Sequence, residues 1–190
     1  YTFENVPIGN YTVTEVGTPG SEDSISHWWD CRTVSQGVRI NYNQTSLAPV
    51  TNIYKTGNLV IQKSIEKADP DKYNVNAELK NHYNESLEGF AFRITGVSDS
   101  GLNIERYAVT DKTGIARFVG LPIGTTDNYT VVEVTSDEVI KAANAGNAYA
   151  IAIKAKATQS LRQYVTPVSQ KVTITYNDAP HAPNTTTIND

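Results

Sequence analysis

The chain writes one stretch twice. "VPIGNYTVTEV", beginning at Val6, returns as "LPIGTTDNYTVVEV", beginning at Leu121. Phe3, Pro7, Gly9, Tyr11, Val13 and Glu15 correspond to Phe118, Pro122, Gly124, Tyr129, Val131 and Glu133. A repeated turn and strand constrains architecture strongly, because both copies call for the same kind of neighbour. After each glutamate comes a variable stretch, then a strand containing an asparagine: Asn52 in "PVTNIYK" and Asn177 in "VTITYNDAP". "TGNLVIQK" follows the first of these directly. One full unit is therefore expected over about 57–180. Residues 1–54 read as the carboxyl half of a preceding unit, since the text opens inside a strand at "YTFENVPIG". The polar, Pro-containing tail 181–190 reads as a linker.

The pattern is β nearly throughout. "NYTVTEV", "GVRINYN", "GNLVIQKSIE", "GFAFRITG", "RYAVTD", "GIARFVGL", "NYTVVEV", "AYAIAIKAKAT" and "QKVTITYN" are short runs rich in Val, Ile, Thr, Tyr and Phe. Most alternate apolar with polar residues between Gly, Asn, Asp or Pro, which is strand punctuation. "SDSG" at Ser98 and "DKTG" at Asp111 read as hairpin turns with glycine at a positive φ. The stretch 69–89 lacks period-two alternation and reads as a long loop, with a short helical turn around 77–83. Many short strands at regular spacing predict an all-β fold, an immunoglobulin-like or prealbumin-like β-sandwich.

Composition excludes several classes. Hydrophobic residues make up 39% of the 190, against 19% charged, which is enough for a packed core. The net charge of -4, with no run of Lys or Arg, argues against nucleic acid or an anionic membrane as partner. No apolar run is long enough to span a bilayer, and no signal peptide stands at the amino end. The single Cys31 rules out an internal disulfide. Three scattered histidines, with no H-E-x-x-H, G-x-S-x-G or phosphate loop, give no site for a turnover enzyme, and no metal or cofactor is called for.

The order of motifs, "GNLVIQK", "FAFRITG", "TDKTGIARFVGLPIG", "YTVVEV" and "TITYN", resembles a Cna B-type (SpaA-like, prealbumin-like) domain of Gram-positive surface adhesins and pilins. The resemblance covers 57–180, and its carboxyl half covers 1–54. It implies an autocatalytic isopeptide bond between a lysine on the first strand and an asparagine on the last, promoted by a glutamate between them. Carried onto this chain, the lysine is Lys63, the promoter Glu133 and the acceptor Asn177. In the half unit the promoter is Glu15 and the acceptor Asn52, with the matching lysine expected upstream of Tyr1.

The residue types suit that chemistry. A protonated lysine cannot attack a carbonyl, and an apolar core disfavours charge on amine and carboxyl alike. A neutral amine can attack the side-chain carbonyl while a neutral acid polarises it and relays protons. Held together by the fold, the groups react with effective molarities of roughly 10⁵ M or more. Taken singly, each residue has an ordinary alternative: Lys63 a solvated edge lysine, Glu133 an outward carboxylate, Asn177 a turn residue. Strict alternation groups Val172, Ile174 and Tyr176 with Asp178, so Asp178 is a second candidate acceptor unless a bulge intervenes.

The function expected is a stalk module of an extracellular, cell-wall-anchored adhesin, its partners the neighbouring domains of the same polypeptide. The alternatives are a ligand-binding module contacting a host protein or glycan through the 69–89 loop or the "SHWWD" loop, and a pilin shaft subunit.

Overall fold

The computed structural model describes residues 2–15, 28–30, 35–50, 53–64, 86–160, 169–180 and 182–189. They belong to two compact units, Tyr1–Lys55 and Thr56–Asp190.

In the first unit, β1 (Gly9–Thr14) pairs antiparallel with β3 (Ser35–Ile40), and the two-residue β2 (Trp29–Asp30) pairs with β4 (Ile53–Tyr54). The Trp29 ring meets Tyr54 edge-on at 4.9 Å, the geometry that the ring quadrupoles favour.

The second unit is a β-sandwich. Its strands are β5 (Thr56–Gln62), β6 (Ala91–Val97), β7 (Asn103–Val109), β8 (Ile115–Pro122), β9 (Gly124–Val134), β10 (Gln170–Ile174), β11 (Tyr176–Asn177), β12 (Ala182–Pro183) and β13 (Thr185–Asn189). One sheet has the order β10-β9-β6-β7, the other β13-β5-β8. Alternation along each strand sends one set of side chains between the sheets. Leu59 and Ile61 of β5, Phe118 of β8, Phe92 and Ile94 of β6, Tyr129 and Val131 of β9, and Val172 and Ile174 of β10 form that core.

The opposite face of the four-stranded sheet is covered too. Val134, Ala91 and Tyr107 pack beneath α1 (Ser136–Asn144) and α2 (Ala148–Ile153) through Val139, Ala143 and Ala150. The stretch "AYAIAIKAKAT", expected as a strand, is therefore α2 and the turn after it. Its Ala/Ile alternation mimics a strand, but alanine is the best helix former, and the Asn147 side chain caps the helix by accepting from the Tyr149 and Ala150 amides. Ahead of it, Thr135 and Glu138 make a reciprocal capping box at the start of α1.

Two turns behave differently. "SDSG" closes a true hairpin between the paired strands β6 and β7, with Gly101 at φ +80°. "DKTG" is a turn, but β7 and β8 lie in different sheets, so it carries the chain across the sandwich. The helical turn expected at 77–83 lies outside the described residues.

The linker expected at 181–190 is a further correction. Thr185–Asn189 runs parallel along β5, from Thr185 opposite Asn58 to Asn189 opposite Gln62. Its outer threonines suit an exposed strand face, while Ile188 packs against the core, so a polar composition conceals a sheet edge.

Candidate functional site

Lys63 follows the last residue of β5 and continues its inward parity after Leu59 and Ile61. Its amide donates to the Gly114 carbonyl at 2.8 Å, which holds the strand end against the cross-sheet turn. Gly114 sits at φ +80°, and a Cβ there would stand 2.8 Å from the Lys63 carbonyl oxygen, so glycine is required twice over. Glu133 lies on β9 opposite Phe92, on the inward face shared with Tyr129 and Val131. The two charged residues are 8% and 5% exposed.

They meet. Lys63 Nζ stands 3.0 Å from Glu133 Oε2, and the Phe90 ring centroid is 5.5 Å from the same nitrogen. The Ser160 hydroxyl lies 3.5 Å from Glu133 Oε1. A buried ion pair recovers its desolvation cost only with good geometry and further polar contacts, so such a pair is weak evidence of stabilisation by itself. At 3.0 Å, however, one proton moved from nitrogen to oxygen gives a neutral amine beside a neutral carboxylic acid. That is the pair of species an amine nucleophile and its acid partner require.

Asn177 is not there. It is exposed, and its Oδ1 accepts from the Ala179 amide at 3.1 Å, the ordinary turn role. Ile174, three residues before it, sits opposite Gly124, at the far end of the 11-residue β9 from Glu133. Counted along the paired strands, from Glu133 to Tyr129 and then from Val172 to Ile174, that end lies roughly 20 Å away at about 3.3 Å per residue. The register does shift between Val172 and Ile174, but the extra residues belong to β9, Thr125–Asn128, and do not turn Asn177 inward. Asp178 is exposed as well. The acceptor assignment fails for a simple reason: "VTITYN" is not the last strand of the unit. Of the half-unit residues, Glu15 is partly buried just beyond β1, and Asn52 lies outside the described residues.

Phe90 and Ser160 were not singled out from sequence. Phe90 opens "FAFRITG" and the motif itself was its signal; Ser160 is brought in by the parallel bridge between Phe90 and Gln159, which no local pattern announces.

No family model matches the chain, and no curated protein matches it. Among solved structures, the crystal structure of BcpA, the major pilin subunit of Bacillus cereus, is similar at 15% identity and a TM-score of 0.30, over 82% of this chain and 36% of that one. This chain thus spans about a third of that structure's length. The likeness is too distant to assign a function. The site has to be read from its own chemistry.

Proposed function

We propose that the chain is a structural module of a bacterial cell-surface protein, an adhesin stalk or a pilin-like shaft, whose second unit is locked by an intramolecular amide on Lys63. The observation that carries this reading is the lysine–glutamate pair at 3.0 Å inside an apolar sandwich. A core lysine with nothing but a stabilising role is costly, and an aliphatic residue of similar volume serves stability as well or better. A lysine that becomes an amide loses its charge for good, and the cost of burying it goes with the charge.

In this account Glu133 takes the surplus proton of Lys63 and then hands protons on as the amide forms. Phe90 excludes water from the nitrogen. The motif order shared with Gram-positive surface domains supports the extracellular setting, where a chain with one cysteine has no internal disulfide to rely on. The ligand-binding alternative is less favoured, since Trp29 of the "SHWWD" loop is half-buried and packed on Tyr54.

The test is mobility under denaturing conditions. A chain closed into a covalent loop runs faster in a denaturing gel than its linear form. The wild type should run ahead of both Lys63→Ala and Glu133→Ala. Equal mobility of all three, with each chain at its own full sequence mass, would defeat the proposal.

A further inference from the structure

The second unit begins and ends on neighbouring strands. Its first strand, β5, and the last one described, β13, run side by side in parallel. From this arrangement we propose a further function: β5 and β13 form a mechanical clamp that carries tension along the chain, with or without an amide on Lys63.

Parallel pairing decides how a pull is felt. Consecutive pairs join the two strands, from Asn58 opposite Thr185 to Asn189 opposite Gln62. A pull on the ends of the chain reaches this unit at the amino end of β5 and the carboxyl end of β13. In a parallel pair those two points lie at opposite ends of the ladder, so the strands are drawn past each other and every rung is strained at once. In an antiparallel pair the same two points share one end, and the rungs open one by one.

Neither strand is free to slip by itself. β5 is the middle strand of its sheet, held on its other side by β8 from Thr56 opposite Pro122 to Gln62 opposite Ile115. β13 is fastened to the edge of the other sheet. The Thr186 hydroxyl donates to the Thr173 carbonyl at 3.2 Å, and Gln170 Nε2 donates to the Asn189 carbonyl at 2.8 Å. At the start of the ladder the Asn58 amide donates to the Asn184 carbonyl at 2.7 Å, and Ile188 packs against the core. The first unit is built otherwise. Among its described residues β1 and β4 are not paired with each other, and β4 meets the two-residue β2 in an antiparallel bridge.

Single-molecule force measurement on the full chain tests the clamp. Lys63→Ala is the background, so that no amide on that residue withholds length; Glu133→Ala is the second, should the first not fold. Pulled from its two ends, the chain should unfold in two events. The second unit should yield at a severalfold higher force than the first and release on the order of 450 Å at about 3.4 Å per residue. Moving the carboxyl-side attachment to the exposed Thr185, as Thr185→Cys with Cys31→Ser, places both pulls at one end of the ladder and turns shear into peeling. The second-unit force should then fall severalfold. Equal forces for the two attachments would overturn the clamp, and so would equal forces for the two units. A wild type that releases as much length as Lys63→Ala would count against the amide alone and leave the clamp standing.

Discussion

The β1–β3 and β9–β10 pairings are one design built twice, and they end in different environments. In the first unit Tyr11 faces Val38 and Val13 faces Gln36; in the second Tyr129 faces Val172 and Val131 faces Gln170. "SQGVRI" and "SQKVTI" are thus the same strand in the same register. Both copies anchor their tyrosine alike, the hydroxyl of Tyr11 donating to the Pro7 carbonyl at 3.0 Å and that of Tyr129 to the Pro122 carbonyl at 2.9 Å. Yet Tyr129 is fully buried and Tyr11 is 38% exposed. Strand, partner and anchor are carried in the repeated residues. Burial is not, because it depends on the second sheet, β13-β5-β8, and on α1 and α2, which lie across the two faces of β9. The same difference acts on the glutamates: Glu133 is buried against a lysine, whereas Glu15 is only partly buried.

The largest expected effect follows from that contrast. Under the proposed cross-link of the second unit, removing Lys63 abolishes a covalent loop of about a hundred residues or more. By analogy with disulfides, closing a loop of about 100 residues is worth up to roughly 4.7 kcal/mol through the denatured state. Lys63→Ala should lower the melting temperature by many degrees, while dithiothreitol should leave the wild type unchanged. A melting temperature unaffected by the substitution would make Lys63 an ordinary core-edge lysine and erase the difference between the two units.

A smaller effect sharpens the comparison at its most conserved-looking contact. Tyr129→Phe strands the buried Pro122 carbonyl and should cost about 1–3 kcal/mol. Tyr11→Phe removes the equivalent bond where water can replace it, and should cost no more than about 0.5–1 kcal/mol. Denaturant titration of the two variants measures both. Equal costs would mean that the first unit buries its tyrosine as thoroughly as the second.

Sequence patterns reveal most of the strands and the repeated turn and strand, since each is carried by alternation within a few residues. Three features escaped that reading. The helices between β9 and β10 were announced by the capping box in "TSDE" and by a glycine after the last turn, but the alternating "AYAIAI" masked them. The cross-sheet course of "DKTG" depends on which sheet each flanking strand joins, and no turn sequence encodes that choice. Motif order alone pairs Asn52 with Asn177. Register instead aligns Ser35–Ile40 with Ser169–Ile174, so Asn43 is the counterpart of Asn177, and a further strand follows. That strand, β13, is threonine-rich and meets the core through Ile188, so its composition resembles a linker.

The smallest effect concerns the turn that takes the chain from one sheet to the other. Asp111 accepts from the Thr113 hydroxyl and amide, from the Ile115 amide and from Arg117. These contacts, the Thr113 hydroxyl first, hold its carboxyl far below the usual carboxylate range. A depressed folded-state pKa contributes stability above the unfolded value, near about pH 4, and that contribution fades as the pH falls further. Asp111→Asn should therefore destabilise mildly at neutral pH, and the gap from wild type should narrow on acidification below about pH 4. A gap that is constant with pH would mean that the carboxylate charge plays no part in the turn.

The most direct test of the central claim is the accurate mass of the folded wild-type chain beside that of Glu133→Ala, both after prolonged incubation. The account predicts a wild type lighter than its sequence by one small leaving molecule, and a glutamate variant at full sequence mass with the same β-sheet spectrum. A wild type at full mass would contradict it and leave Lys63–Glu133 as a buried ion pair and nothing more.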